Sequence, residues 1–195
     1  MKKRAFLHTT AAAAATILSP FAQAKAAAAQ SGGPALLTVT GAITKANRGP
    51  LDPALDQLMV KQKLRFDRAF TLDFAALDAL PQQTISPVIE YDAKAHRLSG
   101  PAVMDVLKAA GAAADAGVLL RAIDGYAVRV EAGDLRKYRF IVATRLDERP
   151  MALGGLGPLW AVYDADRFPE TAAKPLNQRF GLCPWGLYHI HVASQ

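Results

Sequence analysis

Few residues of this chain have the type and spacing that chemistry demands. Cys183 is its one cysteine, so no intrachain disulfide can form. Its neighbours Leu182, Pro184 and Trp185 predict a packed, inert thiol in place of a reactive thiolate. His189 and His191 stand two apart, which puts both imidazoles on one face of a strand, where they could share a metal. No carboxylate or third histidine lies near them in sequence, so metal ligation is the minority reading. The run Gly154-Gly155-Leu156-Gly157-Pro158 leads into a strand-like segment and not a helix. It therefore cannot make the helix-terminus phosphate cradle of a dinucleotide fold. A tight turn, or a loop that lets backbone approach a ligand, fits better.

Alternation and turn residues define the elements that would position such groups. Strands are predicted over 36–43, ended by the turn cluster 45–50, and over 66–72. Asp73 is placed to cap a short helix over 74–80, stopped by Pro81. Residues 84–91 read as a strand again, with Pro87 marking an edge or a bulge. The clearest helix runs from 101 to 111, with Ser99 or Gly100 at its cap, Pro101 in its first turn and Gly111 at its end. Its apolar stripe is Val103, Val106, Leu107 and Ala110. Strands over 118–123 and 127–131 flank Asp124-Gly125, a hairpin signal. A short helix over 134–138, a strand over 140–143, a charged turn over 145–150 and strands over 159–163 and 186–192 complete the chain. Strands outnumber helices without regular βα alternation, which predicts an α+β domain with a mixed sheet.

The N-terminus has the three parts of a removable export signal. Lys2, Lys3 and Arg4 precede an uncharged stretch over 5–18, and Ala22-Gln23-Ala24 offers small residues for cleavage after Ala24. The apolar stretch falls short of the ~20 residues that span a bilayer. Lys3-Arg4-Ala5-Phe6-Leu7-His8 is similar to the twin-arginine export motif with Lys for the first Arg, so that route and ordinary secretion both stand. Residues 25–34 form a flexible leader of small and polar residues, and the domain is expected over 35–195. A periplasmic location follows, with no membrane-embedded part. Of the formal charge of +6, three units belong to the signal, leaving +3 over 171 residues. That is too little to argue for nucleic acid. Lys61, Lys63, Arg65 and Arg68 read as a solvated face.

Several phrases, in order, resemble the molybdopterin-binding domain of the sulfite oxidase superfamily. They are Leu37-Thr38-Val39-Thr40-Gly41, then Leu98-Ser99-Gly100-Pro101-Ala102-Val103-Met104-Asp105-Val106-Leu107 with Ala110-Gly111. Ala122-Ile123-Asp124-Gly125-Tyr126 and Gly157-Pro158-Leu159-Trp160-Ala161-Val162-Tyr163 follow. The resemblance implies a single α+β domain of the sulfite-oxidase type, with a pterin cofactor among loops. It does not give the activity. The enzymes of that superfamily ligate molybdenum with a cysteine in a segment that would correspond to 84–91. Here that segment holds no cysteine, and Cys183 lies too far downstream to take the part.

The chain is more similar to short exported members that bind a reduced pterin without molybdenum. Some of these act as periplasmic pterin sensors for a membrane diguanylate cyclase or phosphodiesterase in c-di-GMP signalling. That resemblance implies a non-catalytic module whose ligand is a reduced pterin and whose partner is the periplasmic domain of a membrane sensor. A small molybdopterin-dependent oxidoreductase is the alternative.

A pterin needs a face for stacking and fixed groups on its edge. Asp124 and Glu90 could pair with its 2-amino and N3 positions, and Arg179 or Arg121 could donate to its carbonyl. Trp185, Tyr126 and Trp160 could stack, and Ser86 and Thr84 could hydrogen-bond. The expected binding set is Ser86, Glu90, Asp124, Tyr126, Arg179 and Trp185, with no catalytic residue and no metal ligand. Each has a plainer reading: Asp124 as turn former, Tyr126 and Trp160 as core, Trp185 as cover for the core edge, Ser86 as part of the bulge, Arg179 as surface.

Overall fold

The computed structural model describes residues 32–194, so the expected signal and most of the leader lie outside the described residues. The chain runs β1 (Leu37–Gly41), α1 (Gln57–Lys61), β2 (Phe70–Leu72), α2 (Phe74–Asp78), β3 (Gln82–Ile85), β4 (Leu98–Pro101) and α3 (Val103–Ala110). It continues through β5 (Val118–Ala122), β6 (Ala127–Val130), α4 (Ala132–Lys137), β7 (Ile141–Ala143), β8 (Arg145–Leu146) and β9 (Arg149–Pro150). Last come β10 (Trp160–Val162), α5 (Pro169–Ala172) and β11 (Leu187–Val192), with 3-10 turns at Ala165–Arg167 and Leu176–Gln178.

The main sheet has the order β2-β1-β11-β5-β6 and is mixed: β1 pairs parallel with β11, and the other pairs are antiparallel. A four-stranded sheet β3-β4-β8-β9 and the pair β10-β7 pack against it through one core. Alternation decides what faces that core. Val39, Leu120 and Ile190 are buried on the inner side, each worth about 1.5–3 kcal/mol of burial. Thr38, Thr40, His189 and Arg121 alternate with them on the outer side. Part of that outer side is covered by α1 and its following loop, where Met59 and Leu64 pack with Tyr188.

The strongest sequence signals give the elements they predict. Asp73 caps α2 by accepting from the Ala76 N–H at 2.8 Å. Val103, Val106, Leu107 and Ala110 bury the predicted stripe of α3. Gly111 closes that helix in the left-handed region at φ 73, and a Cβ there would lie 2.1 Å from Thr44 Oγ1. Asp124-Gly125 turns the β5–β6 hairpin, with the Tyr126 N–H donating to Asp124 Oδ1 at 2.8 Å.

Four expectations are corrected. Ser99 and Gly100 do not cap α3, because residues 98–101 form β4 and the helix begins only after Ala102. Gly100 answers a tertiary need: a Cβ would sit 1.9 Å from the Val142 carbonyl oxygen where β4 crosses β7. The strand expected over 84–91 is β3, ending at Ile85; beyond it the chain folds back on itself through the Val88–Ala95 bridge. The strand expected over 66–72 is reduced to Phe70–Leu72. Residues 145–150 are more than a charged turn, since β8 and β9 pair around Asp147 and Glu148, both at positive φ.

Candidate functional site

Four distant stretches of chain meet in a cavity of about 230 Å³. Trp160 of β10 and Cys183 belong to both the core and the cavity lining, at 1 % and 4 % exposure. The Trp160 Nε1–H donates to the Cys183 carbonyl at 2.9 Å, which fixes the indole. Asp124 and Tyr126 enter from the β5–β6 turn, and Asn177, Phe180 and Gly181 from the stretch before β11. The Tyr126 hydroxyl donates to the Gly181 carbonyl at 2.7 Å and ties those two walls together. Glu90 and Tyr91 enter from the loop after β3, and Trp185 forms part of the rim. Tyr91, Tyr126 and Trp185 are 53 %, 48 % and 39 % exposed, so three aromatic rings stand partly uncovered round one opening.

The loop that carries Glu90 and Tyr91 is held on both flanks. On one, the Val88 N–H donates to Asp166 Oδ2 at 2.7 Å. On the other, His96 sits between Asp147 (2.7 Å) and Asp92 (2.9 Å), and both carboxylates hold its imidazolium above the usual histidine pKa. Arg97 N–H adds a bond to Asp147 Oδ1 at 2.9 Å.

The lining is acidic and aromatic. Among the described residues it contains Glu90 and Asp124 and no lysine, arginine or histidine. Burial pushes the Tyr91 hydroxyl above its ordinary pKa, and the facing Glu90 carboxylate pushes it further. Burial likewise drives the Cys183 thiol up, so the thiolate a metal would require is disfavoured. Such a site suits a flat, uncharged or cationic ring with N–H donors on its edge.

Of the six residues expected to bind, the structure brings Glu90, Asp124, Tyr126 and Trp185 together, and leaves Ser86 and Arg179 outside this lining. Asp124 also shapes its turn, so both readings of it apply. Arg179 is spent on the fold: its guanidinium donates to Asp166 Oδ1 (2.6 Å), Ala172 O (2.7 Å) and Lys174 O (3.0 Å). Ser86 lies past the end of β3, where its main chain faces the Asp164 carboxylate. Arg121 lies on the outer side of the main sheet opposite His189, and Thr84 lines a different cavity.

Tyr91, Asn177 and Phe180 escape the sequence reading. In a strand, Tyr91 would face away from Glu90; in the folded-back loop both line the cavity. The histidine pair converges on one threonine. Thr40 Oγ1 lies 2.9 Å from His189 Nε2 and 3.2 Å from His191 Nδ1, and burial pushes the His189 pKa down to about 3. No cluster of three or more potential metal-ligating side chains occurs among the described residues.

No family model matches the chain, and no curated protein does. Among solved structures, the chain is similar to the sulfane dehydrogenase SoxCD from Paracoccus pantotrophus, with a TM-score of 0.55 at 9 % identity. The likeness covers 82 % of this chain and 38 % of that one, so the chain spans well under half the length of its structural neighbour. At that identity the likeness is one of fold alone. The chain adopts the fold class that the sequence resemblance implies: one α+β domain of the sulfite-oxidase type, with a mixed sheet and short helices.

Proposed function

We propose that this protein is an exported, non-catalytic module that binds a reduced pterin in the acidic aromatic cavity and presents the bound state to a membrane signalling partner. One observation carries the reading: Glu90 and Asp124 converge with Tyr91, Tyr126 and Trp185 on a cavity with no cation in its lining among the described residues. A carboxylate pairs with the 2-amino and N3–H edge of a pterin, and the rings supply a stacking face. The volume lies below the roughly 300–1,000 Å³ of sites for drug-sized ligands, which suits a bicyclic ring.

Molybdopterin, the group implied by the fold, does not fit this lining. Its phosphate would meet two carboxylates and no arginine or lysine, and its metal would find a buried, protonated thiol. Anaerobic calorimetry with tetrahydrobiopterin tests the proposal. One binding site is expected, weakened at least about tenfold by Asp124→Asn and by Glu90→Gln, the loss typical of a charge-assisted pair. No heat with any reduced pterin would sink it. The likeness to a dehydrogenase fold favours a second reading, a small molybdopterin oxidoreductase. Stoichiometric molybdenum in protein from a molybdenum-replete host would put that reading first.

A further inference from the structure

A second cavity, of about 260 Å³, shares no lining residue with the first. It lies along β3, with Tyr138 and Phe168 as an aromatic wall and Arg139, Arg167 and Asp164 completing its lining. The wall is fixed. Tyr138 stacks on Tyr163 at 4.9 Å and meets Phe168 edge-on at 5.0 Å, while its hydroxyl donates to Glu170 at 3.2 Å.

β3 is the open edge of its sheet; among the described residues it pairs with β4 alone. Ser99, opposite Thr84, turns its carbonyl away to the Thr144 N–H at 2.9 Å. Thr84 and Ser99 are therefore a non-hydrogen-bonded pair, and the N–H and C=O of Thr84 and of Gln82 face outward. The Asp164 carboxylate stands beside the next outward N–H, that of Ser86. An acidic side chain of this chain thus stands where a strand partner would begin, and the donors beyond it have no strand partner among the described residues.

The charges beside this edge favour one kind of partner. The Arg139 and Arg167 guanidiniums form no ion pair and donate no hydrogen bond among the described residues, and both residues are exposed. Asp164, in the same lining, faces both Arg167 and the Ser86 main chain and offsets part of that positive charge. Arg139 holds its place at a cost. It follows α4 at φ 55, with the Phe140 N–H closing on Leu135 O at 3.2 Å, a position where glycine is usual and another residue costs roughly 1–2 kcal/mol. The chain keeps an arginine at the cavity in a backbone state that a glycine would adopt freely.

We infer that the open edge of β3 docks an extended acidic segment of a partner protein, which adds as a strand beside Gln82–Ile85 and sets a carboxylate between Arg139 and Arg167. This extends the proposed function by giving the partner a place, and it is independent of which ligand fills the first cavity.

Panning a phage-displayed library of linear decapeptides on the full chain tests it. Selected peptides should alternate β-branched or aromatic residues with Asp or Glu. Their Kd, read by fluorescence polarisation, should rise at least about tenfold in the double variant Arg139→Glu, Arg167→Glu. Thr84→Pro, which removes an outward donor and spares the ladder to β4, should also weaken them, and its melting curve shows whether the fold survives. Glu90→Gln should leave peptide binding unchanged, so failure here and failure of pterin binding are separable. Peptides without acidic residues, binding that ignores the charge reversal, an empty selection, or a dimer of this chain that the same reversal disrupts would each overturn the inference.

Discussion

The acidic cavity beneath Trp185 and the basic cavity along β3 have similar volumes, about 230 and 260 Å³, yet they draw on different parts of the fold. The first borrows core side chains, Trp160 and Cys183, and closes them in with loops. The second uses a strand edge, a helix end and exposed arginines. A site cut into the core ties its chemistry to stability, whereas a site on an edge leaves its residues free to change. The two meet at one turn. Asp166 holds Val88 and Arg179, which fix two walls of the first cavity, while its neighbours Asp164 and Arg167 line the second.

Trp160→Ala should separate the two regions most sharply. It removes a fully buried indole and is expected to cost about 3–5 kcal/mol in urea unfolding, with ligand binding lost and the β3 edge changed only through global stability. A loss below about 1 kcal/mol would mean the cavity is not anchored in the core. Asp166→Ala comes next. It strips the Arg179 guanidinium and the Val88 N–H of their exposed carboxylate, at about 0.5–1.5 kcal/mol, and should weaken binding at both cavities. If only one responds, the shared turn does not couple them.

Arg139→Gly should go the other way. Relief of the left-handed backbone is expected to raise stability by about 0.5–1 kcal/mol in thermal unfolding while acidic peptide binding falls. An unchanged or lowered midpoint would show that Arg139 is held by contacts and not kept against strain.

The smallest effect concerns His96. Its raised pKa gives stability that is complete below the unfolded value of about 6.5 and is lost as pH climbs through the folded value. Asp92 and Asp147, both lowered, contribute above their unfolded values near 3.8 and lose that share as pH falls through the folded ones. The clasp on the Glu90 loop is therefore strongest between those limits. Melting temperatures at pH 5.5 and 8.5 should differ more in the wild type than in His96→Ala, and equal differences would remove His96 from the account.

Local rules made part of this legible. The alternation of β1, β5 and β11, the apolar stripe of α3 and the Asp124-Gly125 turn all follow from period and turn chemistry. What local rules miss is contact between distant segments. Gly100 reads as a helix cap until β7 is seen crossing it, and Tyr91 reads as facing away from Glu90 until its loop folds back. Four members of the first site could be named because turn, carboxylate and aromatic types mark themselves. Asn177 and Phe180 could not, because nothing in a 3-10 turn and the stretch after it signals a lining. Arg139 was hidden for a related reason: its exposure and its backbone state depend on how α4 ends.

An unpaired strand edge is also a hazard, because any other strand in solution can join it. Two copies of this chain meeting at β3 would bring Arg139 and Arg167 of each against those of the other, four like charges beside a ladder only four residues long. The arginines that would welcome an acidic guest thus turn away self-pairing. Charge beside so short a ladder works against pairing between copies of this chain.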